Sequence, residues 1–141
     1  MRLKFILCIL ILITTASCRT SNKKVFEEFS DIHIPTTAKV TNDQYQGMGK
    51  DFVKILELKL DKTSKADLEL SILKSKFFNS AIYSDKEILD SQQLTIDYKK
   101  GLWYRDKNGY SFYGSANNEK DIITVTVDTL AMNAQFKFSA D

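Results

Sequence analysis

The chain has 141 residues, the length of one domain with room for a modest core. Its 20 basic and 18 acidic side chains give a formal charge of +2, which is no basic footprint for nucleic acid. Cys8 lies inside an apolar amino-terminal run, so Cys18 is the one cysteine left for a mature domain, and zinc-finger, thiol-redox and cysteine-nucleophile chemistries are excluded.

Arg2 and Lys4 precede nine unbroken apolar residues, 5–13, after which the small residues 14–17 lead to Cys18. That is the three-part layout of an export signal. A spanning helix needs roughly 20 apolar residues, about twice this run. Thr15-Ala16-Ser17-Cys18 resembles a lipobox, the processing site of bacterial lipoproteins. Ala16 and Ser17 match the small residues that precede the cysteine, and Thr15 stands where leucine is usual. The resemblance covers residues 1–18. It implies that the signal peptide 1–17 is removed, that Cys18 carries the lipid, palmitate included, and that the protein is anchored in the bacterial cell envelope. The membrane is the inner or the outer one, with the domain on the periplasmic side. The other reading of the same residues is an ordinary secretory cleavage after Ala16 or Ser17, leaving a free thiol. Removing residues 1–17 also removes Arg2 and Lys4, so 18 basic residues face 18 acidic ones. The mature chain is neutral, which speaks against nucleic acid, while Arg19, Lys23 and Lys24 stay close to the lipid and attract anionic headgroups.

Residues 18–31 read as the lipidated cysteine and a tether with one short helical turn, supported by Lys23 with Glu27 and Lys24 with Glu28 at four-residue spacing, and the apolar edge of Val25 with Phe29 leaves a short docked helix open. Pro35, the only proline, marks the start of a single globular domain, 32–141. Residues 37–46 and 52–61 read as two strands, the second with Leu56, Leu58 and Leu60 alternating against charged residues. Between them, Gly49-Lys50 is a turn and not a phosphate loop, because Gln44 and Asp51 stand where that motif needs glycine and a hydroxyl residue. A helix is predicted over 64–78, capped by Thr63 or Ser64, with Leu68, Ile72, Leu73 and Phe77 on one face. A shorter helix over 85–90 and a strand over 94–98 follow.

Asn108-Gly109 is a hairpin signal. As a two-residue turn it places Tyr104 opposite Tyr113 and Trp103 opposite Gly114, where the indole fills the space a glycine leaves. A second such turn at Asn117-Asn118 places Ile122 opposite Tyr113. One face then collects Trp103, Tyr110, Phe112, Ile123, Val125 and Val127, and the other Tyr104, Tyr113 and Ile122 among serines and threonines. A last strand, 134–140, alternates in the same way. The predicted fold class is α+β, an antiparallel sheet of about five to seven strands with one main helix packed on one face, in the order ββαβββ with small additions.

No catalytic constellation, cofactor motif or metal-ligand spacing emerges. His33, the only histidine, has no second ligand or nucleophile near it in sequence. Glu57, Glu69, Glu87 and Glu119 sit beside lysines or on solvent faces with no pairing motif. Tyr104, Tyr113 and Ile122 read either as a stabilising cross-strand cluster or as a contact platform for a protein partner. The expectation is a non-catalytic binding or accessory lipoprotein, in its sharper form an inhibitor or immunity-type protein. The alternative is a lipid-anchored hydrolase whose carboxylates converge only in the fold.

Overall fold

The computed structural model describes residues 22–48, 50–83, 101–116 and 120–140. The elements in chain order are α1 (Asn22–Ser30), β1 (Lys39–Met48), β2 (Asp51–Lys59), α2 (Lys62–Lys74), β3 (Phe78–Tyr83), β4 (Leu102–Arg105), β5 (Gly109–Ala116), β6 (Asp121–Asp128) and β7 (Asn133–Ala140). The strands form one seven-stranded sheet in the order β1-β2-β7-β6-β5-β4-β3. Buried side chains of both helices join one core cluster with one face of that sheet, so the α+β expectation holds at this level. The purely antiparallel sheet in the order ββαβββ does not. β3 runs parallel to β4, which makes the sheet mixed, and α1 and β3 are additional elements. A parallel neighbour needs a crossover of a dozen or more residues, and residues 84–101 supply that length. The helix and strand expected over 85–90 and 94–98 lie outside the described residues.

Residues 22–30, within the segment expected to be a tether, form the docked helix that the apolar edge of Val25 and Phe29 left open, and they pack into the core. Asp43, Leu56, Phe136, Val125, Phe112 and Trp103 are successive cross-strand partners, one row running over six strands from β1 to β4. α1 lies across this row. The Asn22 side chain donates to the Asp43 carboxylate on β1, Phe26 packs on Phe136 of β7 at 5.4 Å, and the Ser30 carbonyl accepts the Trp103 indole N–H at 2.7 Å. Nine residues at a rise of ~1.5 Å span only about 13 Å, so side-chain reach at both ends closes the remaining distance. Phe26 and Ser30 are fully buried, so the core draws on side chains upstream of residue 32. Sequence spacing shows which α1 residues share a side. It does not show that a sheet lies beneath them.

α2 covers the same face, burying Leu68 and Ile72. It starts earlier than expected because Asp61 caps it: its carboxylate accepts the Ser64 N–H at 2.7 Å, and the Ser64 oxygen accepts the Asp61 N–H at 2.8 Å. These bonds, the Ser64 backbone N–H first, hold the Asp61 carboxyl below its ordinary value. The helix also ends sooner, at Lys74 and not at residue 78. Asp31, just past α1 and in the left-handed conformation at φ +54°, accepts the Lys76 N–H at 2.8 Å and the Ser75 hydroxyl at 3.3 Å. Ser75 is extended there, and the Phe77 carbonyl accepts the Trp103 N–H at 2.8 Å, which starts β3 on the sheet. The helical spacing of Phe77 is thus coincidental, overridden by a contact 45 residues away in sequence.

The turn between β4 and β5 sits one residue earlier than Asn108-Gly109. Asp106 pairs with Gly109 through backbone bonds, leaving Lys107 and Asn108 as the loop. The Asp106 carboxylate accepts the N–H groups of Asn108 and Gly109, both at 2.8 Å, and fixes this turn. Tyr104 consequently faces Ser111, and Tyr113 faces Leu102. On the other side Ala116 pairs with Asp121, so four residues, not two, connect β5 to β6, and Thr124 rather than Ile122 faces Tyr113. The Asn117-Asn118 turn itself lies outside the described residues. Both registers slip by two, and a slip of two keeps every side chain on its face. Trp103, Tyr110, Phe112, Ile123, Val125 and Val127 are accordingly all buried on the helix side. The space beside Gly114 is filled by the Phe112 ring, 3.0 Å from where a Cβ would stand, and not by Trp103.

Candidate functional site

Tyr104, Tyr113 and Ile122 share the sheet face opposite the helices, as their parity requires, but none stands directly opposite another. Each is half-buried, and Tyr104 and Tyr113 each hold an interaction within the protein. The structure therefore brings them to one face without assembling the directly paired platform expected from the turns. Cys18 lies outside the described residues.

The acids are not gathered. Glu57 points to the outer face, where it accepts from the Gln135 amide at 2.8 Å. Glu69 lies on α2, over the opposite face, beside a shallow groove of ≈ 580 Å³ that it lines with Lys62, Lys65, Ala66 and Met132. Glu87 and Glu119 lie outside the described residues. Among the described residues no group of three or more histidine, cysteine, aspartate or glutamate side chains is placed to share a metal ion.

His33 lies at a second open groove, ≈ 360 Å³, between the segment after α1 and the exposed side of α2. Its Nδ1 is 3.0 Å from Glu27 Oε1, the oxygen that also accepts the Ile34 N–H at 2.7 Å. Its backbone N–H donates to Ser71 Oγ at 2.6 Å. Glutamate, histidine and serine are thus close in space, but the serine oxygen is bonded to the histidine backbone, and the glutamate fixes the turn into residue 34. The arrangement ties α1 to α2, and its components sit too far apart in sequence for spacing to have linked them.

The exposed large apolar residues fall in separate places. Leu70 and Leu73 line the outer side of α2, Leu130 tops the turn between β6 and β7, Tyr83 stands on the β3 edge, and Val40 stands near the start of β1. The remaining group is continuous with the core: Phe29 packs on Phe138 at 5.2 Å, Phe138 on Phe52 at 5.2 Å, and Phe52 on Tyr45 of the β1 edge at 5.8 Å. This string of rings runs from Phe29 in the last turn of α1 to the β1 edge, where Asn22 of the first turn is bonded to Asp43 and to the Gln44 carbonyl. The sequence signal for it is weak, because β1 lacks the apolar alternation that makes β2 legible.

Among the described residues no helix is long and apolar enough to cross a membrane. Comparison with known protein families, characterised proteins and solved structures finds no match for this chain.

Proposed function

We propose that the protein is a lipid-anchored lipoprotein of the bacterial cell envelope that acts as a non-catalytic binding or accessory module, holding or neutralising a protein partner close to the membrane. The observation that carries this reading is the spacing between the lipobox-like cysteine and the fold. Only residues 19–21 separate Cys18 from α1, and α1 is locked onto the sheet by Phe26 and Ser30. Four Cα steps of at most ~3.6 Å allow about 14 Å of slack. A lipid at Cys18 would therefore set the domain directly on the bilayer instead of on a long flexible stalk. The neutral charge balance speaks against a nucleic-acid partner, and the two described candidate acids, Glu57 and Glu69, lie on opposite sides of the sheet, which favours binding over hydrolysis.

Replacing the cysteine tests the anchor. Cys18→Ala is expected to abolish fatty-acid labelling of the processed chain and its retention in the membrane fraction. Labelling at full strength in that variant would refute the reading. Capture from envelope extract by the detergent-solubilised lipidated chain tests the binding role, and a stoichiometric protein partner is the expected result.

A further inference from the structure

Where the chain enters the fold decides which side of the domain meets the bilayer, given the lipid anchor proposed above. Asn22 is bonded to Asp43 and Gln44 of β1, so the four-residue step from Cys18 ends at the β1 edge of the sheet. The opposite edge, β3, is six strand spacings away, about 29 Å at ~4.8 Å each. With about 14 Å of slack, the anchor reaches the first edge and not the second.

Among the described residues the β1 edge is also the longer of the two edge strands and carries little protection of its own. It is ten residues long, contains no proline, and is irregular only between Val40 and Asn42. Along residues 39–47 every side chain except Asn42 is exposed, and the charges are Lys39 at the start and Asp43, already held by Asn22. A long, regular, nearly uncharged edge invites strand pairing unless something covers it. On this edge Tyr45 is 56% exposed, its ring resting on Phe52 and its hydroxyl lying along the strand over Gly47. A tyrosine with an apolar base and a polar tip suits the headgroup layer of a membrane.

We propose that the β1 edge, from Asn42 to Gly47, rests on the lipid headgroups, with Tyr45 as its interfacial side chain and the β3 edge directed away from the membrane. A membrane surface is the occupant that the short link to Cys18 delivers, and it covers the open edge without needing a second chain.

The test uses the full lipidated chain in phosphatidylcholine vesicles doped with a lipid that carries a nitroxide on its headgroup. Tyr45→Trp is expected to lose most of the emission it adds over the wild type, whereas Tyr83→Trp, on the 63% exposed residue of the β3 edge, keeps its emission. Fully buried Trp103 supplies a constant background and reports that each variant is folded. Equal quenching at the two edges, or quenching at Tyr83→Trp alone, overturns the orientation. A blue-shifted but unquenched Tyr45→Trp places protein over β1, either a second copy or another chain, and overturns it as well. Flotation of the same vesicles keeps the two readings apart. Chain that does not float refutes the anchor and the orientation together, and chain that floats without quenching at Tyr45→Trp refutes only the orientation.

Discussion

The two faces of the sheet carry similar alternating patterns and end in different environments. On the helix side, Trp103, Phe136 and Leu56 lie on one row with α1 across it, and almost no part of them reaches solvent. On the other side, Tyr104, Tyr113, Ile122, Val53 and Ile55 are half-buried. Alternation tells which side a residue takes. It does not tell what covers that side, because the cover is an element distant in sequence, and the energetic weight of a residue depends on the cover.

Substitutions can sharpen or break this contrast. The largest effect is expected at Phe26→Ala, which removes the ring that joins α1 to Phe136 and leaves a cavity, at a cost of about 3–5 kcal/mol. Chemical denaturation of the full chain measures it, and an unchanged midpoint would mean that α1 is a tether after all. Next comes Gly109→Ala, where a Cβ would stand 2.2 Å from the Val127 carbonyl oxygen at a φ of +154°. Backbone must move on β6, and a loss of about 2 kcal/mol is expected by thermal or chemical unfolding.

The outer face should respond less. Tyr104→Ser with Tyr113→Ser removes two half-buried rings and is expected to cost about 1–2 kcal/mol in total. A loss as large as that of Phe26→Ala would show the two faces to be equally deep. Partner capture by the same variant separates a stabilising role from a contact role.

The smallest effect is expected at Asp61, an exposed cap at the start of α2. The Ser64 N–H and hydroxyl lower its carboxyl pKa in the fold, so its contribution is complete above the ordinary carboxylate value and disappears as pH falls through the lower native one. Asp61→Asn keeps a capping oxygen but not the charge. The stability gap between wild type and this variant is expected at neutral pH and should close in acid, as denaturation across that range would show.

The hairpins show how much of the site was legible. Both turns were placed from local chemistry, and both registers came out two residues off. Asp106 moved the first turn by taking the N–H groups of Asn108 and Gly109, and the second connection is four residues long rather than two. The buried set survived intact, since parity is unchanged by a slip of two, while the direct pairing of Tyr104 with Tyr113, which depends on register, did not. The apolar spacing of α2 is legible in the sequence, but its end is not, because Asp31 reaches Lys76 from the end of α1. Nothing in the sequence sets Tyr45 apart, because its neighbours on β1 show no apolar alternation.

By itself the sequence determined which residues face the core of β4 to β7, the existence of α2, and the lipobox-like cysteine, because period, capping chemistry and short motifs are local properties of the chain. Tertiary structure decided that α1 belongs to the domain, that β3 joins the sheet in parallel, and that α1 starts at the β1 edge. Each of these depends on contacts such as Phe26 with Phe136, Asp31 with Lys76 and Asn22 with Asp43, whose partners are brought together only by the folded sheet.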